Sequence, residues 1–144
     1  MRVSKHRDTR RNARSGASAV ELAMIMPVFV MMVMGQIETS RLGMVSQMMT
    51  TAAREGCRVA VINGSTFSDV QTRVNSILNP LGITPTSFSV SCTGTNSTWD
   101  QAPMGTPITV SLSIPYSQVS LLGTPLFLGG AVINGTATLS SENP

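Results

Sequence analysis

The chain contains two kinds of hydrophobic pattern, and the first is continuous. From Ala17 to Gly35 nineteen residues run with Glu21 as the only charged side chain. A helix of that length spans about 28 Å, close to the thickness of the hydrocarbon core of a bilayer. This run therefore predicts a single transmembrane helix over residues 17–35.

The second pattern is periodic and follows directly. Beyond Gly35 apolar residues recur three and four positions apart, which is typical of one buried helix face; they are Leu42, Val45, Met49, Ala52, Gly56 and Val59. The turn-forming residues 63–65 end the pattern. We therefore expect one long helix over residues 17–62, with its first half in a membrane and its second half in the core of a domain.

A second, shorter helix is predicted over residues 67–78. Thr66 and Asp69 have the spacing of a capping box, in which each residue satisfies the other's backbone N–H. Its predicted apolar face consists of Val70, Val74, Ile77 and Leu81.

Three later segments alternate apolar and polar residues with a period of two: 87–92, 108–114 and 133–140. This alternation is typical of half-buried strands in an antiparallel sheet. The sequence thus predicts an α+β fold in which a three-stranded antiparallel sheet packs on the long helix. Five residues of the loop before the last strand either close the core or form a partner surface: Leu121, Leu122, Leu126, Phe127 and Leu128.

Charge divides the chain into a leader and the rest. Residues 1–16 hold six of the ten Lys and Arg residues and one acid, whereas the remainder holds four basic and six acidic residues. By the positive-inside rule the leader, 1–16, faces the cytoplasm, and a domain over 36–144 lies outside. The folded part has no basic excess for nucleic acid, so we expect no nucleic-acid partner.

A cleaved secretory signal peptide is a competing interpretation of the same start. It fits less well, because no small-residue cleavage site follows the apolar run at residues 35–41. The alternative stays open at this point.

Glu21 is costly inside an apolar membrane segment unless it is paired or protonated. Cleavage after Gly16 would give Ala17 a free ammonium group, one helical turn from Glu21 in the same chain or beside it in a staggered neighbour. The other interpretation is a glutamate near enough to the membrane interface to stay hydrated.

The stretch 14–27, RSGASAVELAMIMP, resembles the prepilin processing region of TadE-like pseudopilins from tight-adherence (Flp-type) pilus systems. The segments GQIETSRL and AAREGCRVAV are similar to that family too. The resemblance implies a pilin-like fold and cleavage by a prepilin peptidase between Gly16 and Ala17. It also implies that Glu21, at the fifth mature position, serves in recognition and assembly.

The same resemblance implies a minor pilin in the bacterial inner membrane, with a cytoplasmic N-terminus and a periplasmic domain, that takes part in pilus assembly. Its expected partners are the prepilin peptidase, other pilin or pseudopilin subunits, inner-membrane assembly proteins and membrane lipid. The alternative is a single-pass anchored binding module that is not processed as a pilin.

Cys57 and Cys92 are candidate disulfide partners, since bridges persist outside the cytoplasm; the alternative is two buried thiols. The only histidine, His6, lies in the leader, and the sequence contains no phosphate-binding loop. We therefore expect no enzymatic activity, cofactor, metal or small-molecule substrate.

Overall fold

The computed structural model describes residues 7–94, 98–121 and 129–142, with side chains described from Gly16 onward. Two helices precede three strands: α1 (Arg7–Ala60), α2 (Phe67–Leu78), β1 (Ser87–Cys92), β2 (Pro107–Pro115) and β3 (Val132–Ser140). Short 3₁₀ turns occupy Asn79–Leu81, Trp99–Gln101 and Tyr116–Gln118. This arrangement confirms the predicted α+β fold.

Helix α1 begins ten residues earlier than expected, at Arg7, and ends two residues earlier, at Ala60. The early start has a simple cause, because residues 7–15 contain neither Gly nor Pro and include Arg and Ala, which favour helices. Beyond Ala60 the chain turns, and Ser65 Oγ donates to the main-chain oxygen of Val59 at 2.6 Å. The same Val59 oxygen also accepts a hydrogen bond from Ile62 N at 3.2 Å, so the turn is bonded to the last turn of the helix.

The described chain divides into two compact units, the first ending at Ile37 and the second beginning at Glu38. The core belongs to the second unit. Its α1 contribution lies along one face of the helix, as the periodic pattern predicts: Val45, Met49, Ala52, Ala53, Cys57 and Ala60.

The predicted capping box of α2 is confirmed. Asp69 Oδ2 accepts a hydrogen bond from Thr66 N at 2.9 Å, and Thr66 Oγ1 accepts one from Asp69 N at 3.3 Å. Val70 and Val74 are buried as expected, but Leu78 replaces Leu81 on the buried face. The 3₁₀ turn that follows Leu78 has fewer residues per turn than an α-helix, so Leu81 falls outside that face.

The three strands form one antiparallel sheet in the order β1-β2-β3. In β2 every second residue is buried, from Ile108 to Ile114. Leu139, expected on the inner face of β3, is 40% exposed, because it lies on an edge strand beside Arg54 and Arg58. Of the predicted apolar loop cluster, Leu121 is exposed; Leu122 and residues 126–128 lie outside the described residues.

Glycines bring the layers of the second unit close together. A Cβ on Gly135 of β3 would lie 2.5 Å from the carbonyl carbon and oxygen of Met49, so α1 approaches the β3 backbone directly. A Cβ on Gly56 would lie 2.8 Å from Val74 Cγ2, which marks the crossing of α1 and α2. A glycine on β3 and a glycine on α1 therefore set these two packing distances.

Candidate functional site

The N-terminal part of α1 is apolar on all sides. An 18-residue window within Gly16–Ala60 has a mean hydropathy of 2.0, and none of that window is buried. Large side chains such as Met24, Val28 and Met32 are each about two-thirds exposed or more. This stretch is long and apolar enough to cross a membrane once, which fits a membrane-anchored protein.

Gly16, Ala17 and Glu21 all lie on this part of α1 and are exposed. Ala17 and Glu21 are four residues apart on a regular helix, so they share one face. The space around Gly16 is open, since a Cβ placed there would meet nothing within 4 Å. Cleavage after Gly16 and the role of Glu21 stay predictions.

The second unit begins with a buried carboxylate. Glu38 is only 8% exposed, and its side chain meets residues that follow β2. Ser120 Oγ donates to Glu38 Oε1 at 2.9 Å, and Tyr116 Oη lies 2.5 Å from Glu38 Oε2. Buried charge is costly unless it is hydrogen-bonded, and both carboxylate oxygens of Glu38 have such partners.

Two further contacts complete what we call the Glu38 cluster: Glu38, Arg41, Tyr116, Val119 and Ser120. Arg41 Nε donates to the main-chain oxygen of Val119. Tyr116 Oη also lies 3.0 Å from the main-chain oxygen of Glu38. The cluster fastens the first turns of α1 in the second unit to the 3₁₀ turn after β2.

Burial raises the pKa of Tyr116 to about 12, with the hydrogen bond to Glu38 and the charge of Glu38 acting in the same direction and Arg41 opposing them. The phenol is therefore neutral at physiological pH. It acts as a fixed hydrogen-bond donor to the carboxylate, which is a structural role.

The comparison with known families concerns the segment of α1 that holds both the exposed apolar stretch and Glu38. Residues 16–58 match the TadE-like protein family. The match confirms the resemblance drawn from the sequence and indicates a protein associated with tight-adherence (Flp-type) pili. No curated protein and no solved structure matches the chain.

The TadE-like segment includes Gly16, Ala17 and Glu21, and it continues through Glu38 and Cys57 to Arg58. It thus spans both the apolar stretch and the helix face that packs in the core. Association with pili is the activity that this match supports, and it gives no indication of catalysis.

Cys57 also lies in the TadE-like segment and is buried, whereas Cys92 is partly exposed, and the structure records no disulfide between the two. Cys57 Sγ lies 3.0 Å from the main-chain oxygen of Ala137 and 3.7 Å from that of Ile108, and Cys92 is paired with Ile108 across the sheet. Burial raises the pKa of the Cys57 thiol, which lowers its thiolate fraction. The cysteines thus flank the same residue, and their bridge stays a prediction.

Within the described ranges no group of three or more His, Cys, Asp or Glu side chains could hold a metal ion. The charged groups outside the Glu38 cluster are mostly engaged at the surface. Glu55, for example, bonds Arg73 at 2.8 Å and Arg58 at 3.3 Å.

Sequence reasoning missed the Glu38 cluster. Glu38 and Tyr116 are 78 residues apart, so no local pattern connects them. Two signals were available: Glu38 precedes Leu42, Val45 and Met49 on the inward helical face, and Tyr116 is the only tyrosine in the chain. A carboxylate on an otherwise apolar face requires a partner, and a lone tyrosine next to a strand is a suitable one.

Proposed function

We propose that this protein is a minor pilin or pseudopilin, processed by a prepilin peptidase, that takes part in assembling a tight-adherence (Flp-type) pilus or its base. The TadE-like match over residues 16–58 carries the proposal. The matched segment begins at Gly16, the residue after which cleavage is proposed. It also includes Glu21, the residue proposed to act in recognition and assembly.

The proposed topology is a single pass through the bacterial inner membrane, with the leader in the cytoplasm and the domain in the periplasm. The charge distribution supports this orientation, because six basic residues precede Ala17. The exposed apolar side chains of α1 support the membrane location, since a surface of that size needs lipid or a partner to cover it. In an assembled pilus the same surface would contact neighbouring subunits.

Glu21 supports the assembly role through its chemistry. Among the residues whose side chains the structure describes, none forms an ion pair with it. Removal of the leader creates a positive charge at Ala17, one turn away, in the same subunit or in a staggered neighbour. Pairing would offset the cost of a carboxylate in an apolar environment and fix the axial stagger between subunits.

Blocking cleavage tests processing. The variant Gly16→Ala should remain at precursor mass in envelope fractions, and surface fibres should be reduced. Gly43→Ala is the matched control, because a Cβ at either glycine meets nothing within 4 Å. An unchanged mature mass with intact fibres in Gly16→Ala would refute the proposal, and N-terminal sequencing of the mature protein should begin at Ala17.

Substituting Glu21 separates the pilin from the alternative, an anchored binding module. In a pilin, Glu21→Ala should strongly reduce pilus assembly or leader cleavage. In a protein that is only anchored by this helix, the same substitution should have almost no effect. Glu21→Gln keeps the shape without the charge, and Met24→Ala controls for loss of an exposed side chain three residues on. Normal pilus assembly by Glu21→Ala would favour the binding module.

We also propose a disulfide between Cys57 and Cys92 in the periplasm, supported by the position of both residues beside Ile108. Protein taken from its native envelope should resist alkylation at both cysteines until reductant is added. Intact mass after alkylation without reductant measures this directly. Two alkylated cysteines in the unfolded, unreduced chain would dismiss the bridge.

A further inference from the structure

A cavity of about 540 Å³ lies in the second unit, away from the Glu38 cluster. The turn between α1 and α2, together with the first residue of α2, forms one wall at residues 63–67. The 3₁₀ turn Trp99–Gln101 and Thr98 before it form the other wall. Its volume falls within the range of sites that hold small molecules.

Two aromatic side chains line this cavity. Trp99, the only tryptophan in the chain, is half-buried and packs against the core. Phe67 is 44% exposed, and its ring centroid lies 4.9 Å from that of Phe88 at an angle of 56°. Both rings are thus held by packing while part of their surface faces the opening, which gives a rigid apolar platform.

Four of the polar side chains of the cavity fall into two groups. Ser65 and Thr66 are engaged by the fold, through Val59 and Asp69, and fix the shape of the wall. Asn63 and Gln101 are exposed, and their amides have no hydrogen-bond partner among the described residues. Each amide offers both a donor and an acceptor to a ligand.

The charge of the cavity limits the ligand further. Residues 63–67 and 98–101 include one carboxylate, Asp100, and no Lys, Arg or His. A phosphate or carboxylate ligand would find no cation here and would be repelled by Asp100.

We propose that this cavity binds a neutral sugar unit, with its C–H face against an aromatic ring and its hydroxyls bonded to the amides of Asn63 and Gln101. A sugar presents vicinal groups that both donate and accept, which matches side-chain amides and a carboxylate. A quaternary ammonium ion would use the rings and Asp100 but would leave both amides unused. The site is a ligand site with no reaction implied, and it does not depend on the pilin assignment.

The test uses the full chain in vesicles of phosphatidylethanolamine and phosphatidylglycerol, which carry neither sugar nor choline headgroups. The methyl glycosides of glucose, galactose, mannose and N-acetylglucosamine are titrated separately, with Trp99 fluorescence as the readout. Choline chloride and inorganic phosphate are titrated in parallel. At least one glycoside should give a saturable change with half-saturation in about the millimolar range, as expected for a small open site.

Asn63→Ala and Gln101→Ala should each raise the half-saturation concentration about fivefold, the effect of losing one hydrogen bond of roughly 1 kcal/mol. Gln71→Ala is the matched control, an exposed amide on α2 outside the cavity, and should bind as the parent does. Neither cavity variant removes a buried contact, so folding is preserved. The proposal is overturned if no glycoside gives a saturable change, if both variants bind as the parent does, or if choline alone binds.

Discussion

Helix α1 has two stretches that differ in which side chains are exposed, one before Glu38 and one from Glu38 onward. From Ala17 to Ile37 apolar side chains are exposed around the helix, and Glu21 is exposed with them. From Glu38 onward apolar residues are buried on one face, and the first residue of that stretch is a buried carboxylate. A helix that is apolar all round is suited to a non-aqueous environment, whereas a single apolar face is suited to a domain in water. One continuous helix therefore has a first stretch suited to a non-aqueous environment and a second stretch suited to a domain in water. Variants in each stretch can test that difference.

The largest effect is expected from a charge within the first stretch. Val30→Arg places a cation in the apolar run, at a cost of about 3 kcal/mol for membrane insertion. Membrane fractionation should show much less of the variant in the membrane. Met44→Arg is the control, because Met44 is also exposed on α1 but lies beyond Glu38. Equal membrane yields for Val30→Arg and the parent would contradict the distinction between the two stretches.

The next effect belongs to the packing of the second stretch. Gly135→Ala should lower the free energy of unfolding by about 2–3 kcal/mol, because its Cβ would overlap backbone atoms of Met49 that cannot rotate away. Trp99 fluorescence during thermal unfolding measures the loss.

Gly56→Ala provides the comparison for Gly135→Ala. Its Cβ would meet the Val74 side chain, which can shift, and alanine gains about 1 kcal/mol of helix propensity over glycine. The net change in the free energy of unfolding should therefore be small for Gly56→Ala. A loss equal to that of Gly135→Ala would show that the contact of Gly56 with Val74 is as rigid as that of Gly135 with Met49.

A moderate effect is expected from the Glu38 cluster. Tyr116→Phe removes the hydroxyl that bonds Glu38 and should cost about 1–2 kcal/mol. The pKa of Tyr116 is raised to about 12 in the fold, so its contribution is complete below pH 10 and is lost as the pH rises towards 12. Unfolding free energies measured between pH 8 and pH 11.5 should therefore fall less steeply in Tyr116→Phe. Parallel curves for parent and variant would refute this role.

The smallest effect concerns the surface pairs of Glu55. Its hydrogen bonds to Arg73 and then Arg58 lower the pKa of Glu55 below the ordinary value of 4.5. The stabilising contribution is thus present above pH 4.5 and is lost as the pH falls through the lowered pKa. Glu55→Gln should flatten the acid limb of a plot of Tm against pH, with Glu142→Gln as an exposed control. If the plots of Tm against pH for Glu55→Gln and the parent coincide at acidic pH, the pairs of Glu55 do not contribute to stability.

Local patterns predicted most of the fold. Thr66 and Asp69 placed the start of α2 at the correct residue, and alternation located all three strands to within a residue at each end. These features depend on neighbours in sequence, where propensity and periodicity act. The start of α1 was misplaced, because the predicted boundary followed hydrophobicity and the Arg-rich segment before it also favours a helix.

Long-range side-chain contacts were not predictable in the same way. The burial of Glu38 depends on Tyr116 and Ser120, and the importance of Gly135 depends on Met49. Each pair joins residues far apart in the chain, so its geometry follows only from the assembled sheet and helix. The candidate processing residues come from a contiguous motif, which local sequence can show, and the family match includes that motif while their role stays a prediction.

The contact of Gly135 with Met49 has a consequence for the order of folding. It joins α1 to the last strand, so the core of the second unit is incomplete until residues 132–140 have been synthesised. A chain whose closing contacts are this distant in sequence folds slowly relative to one built from local contacts. Until then the part of the inward face of α1 around Met49 stays uncovered, and a nascent chain truncated before β3 presents that part to chaperones and proteases.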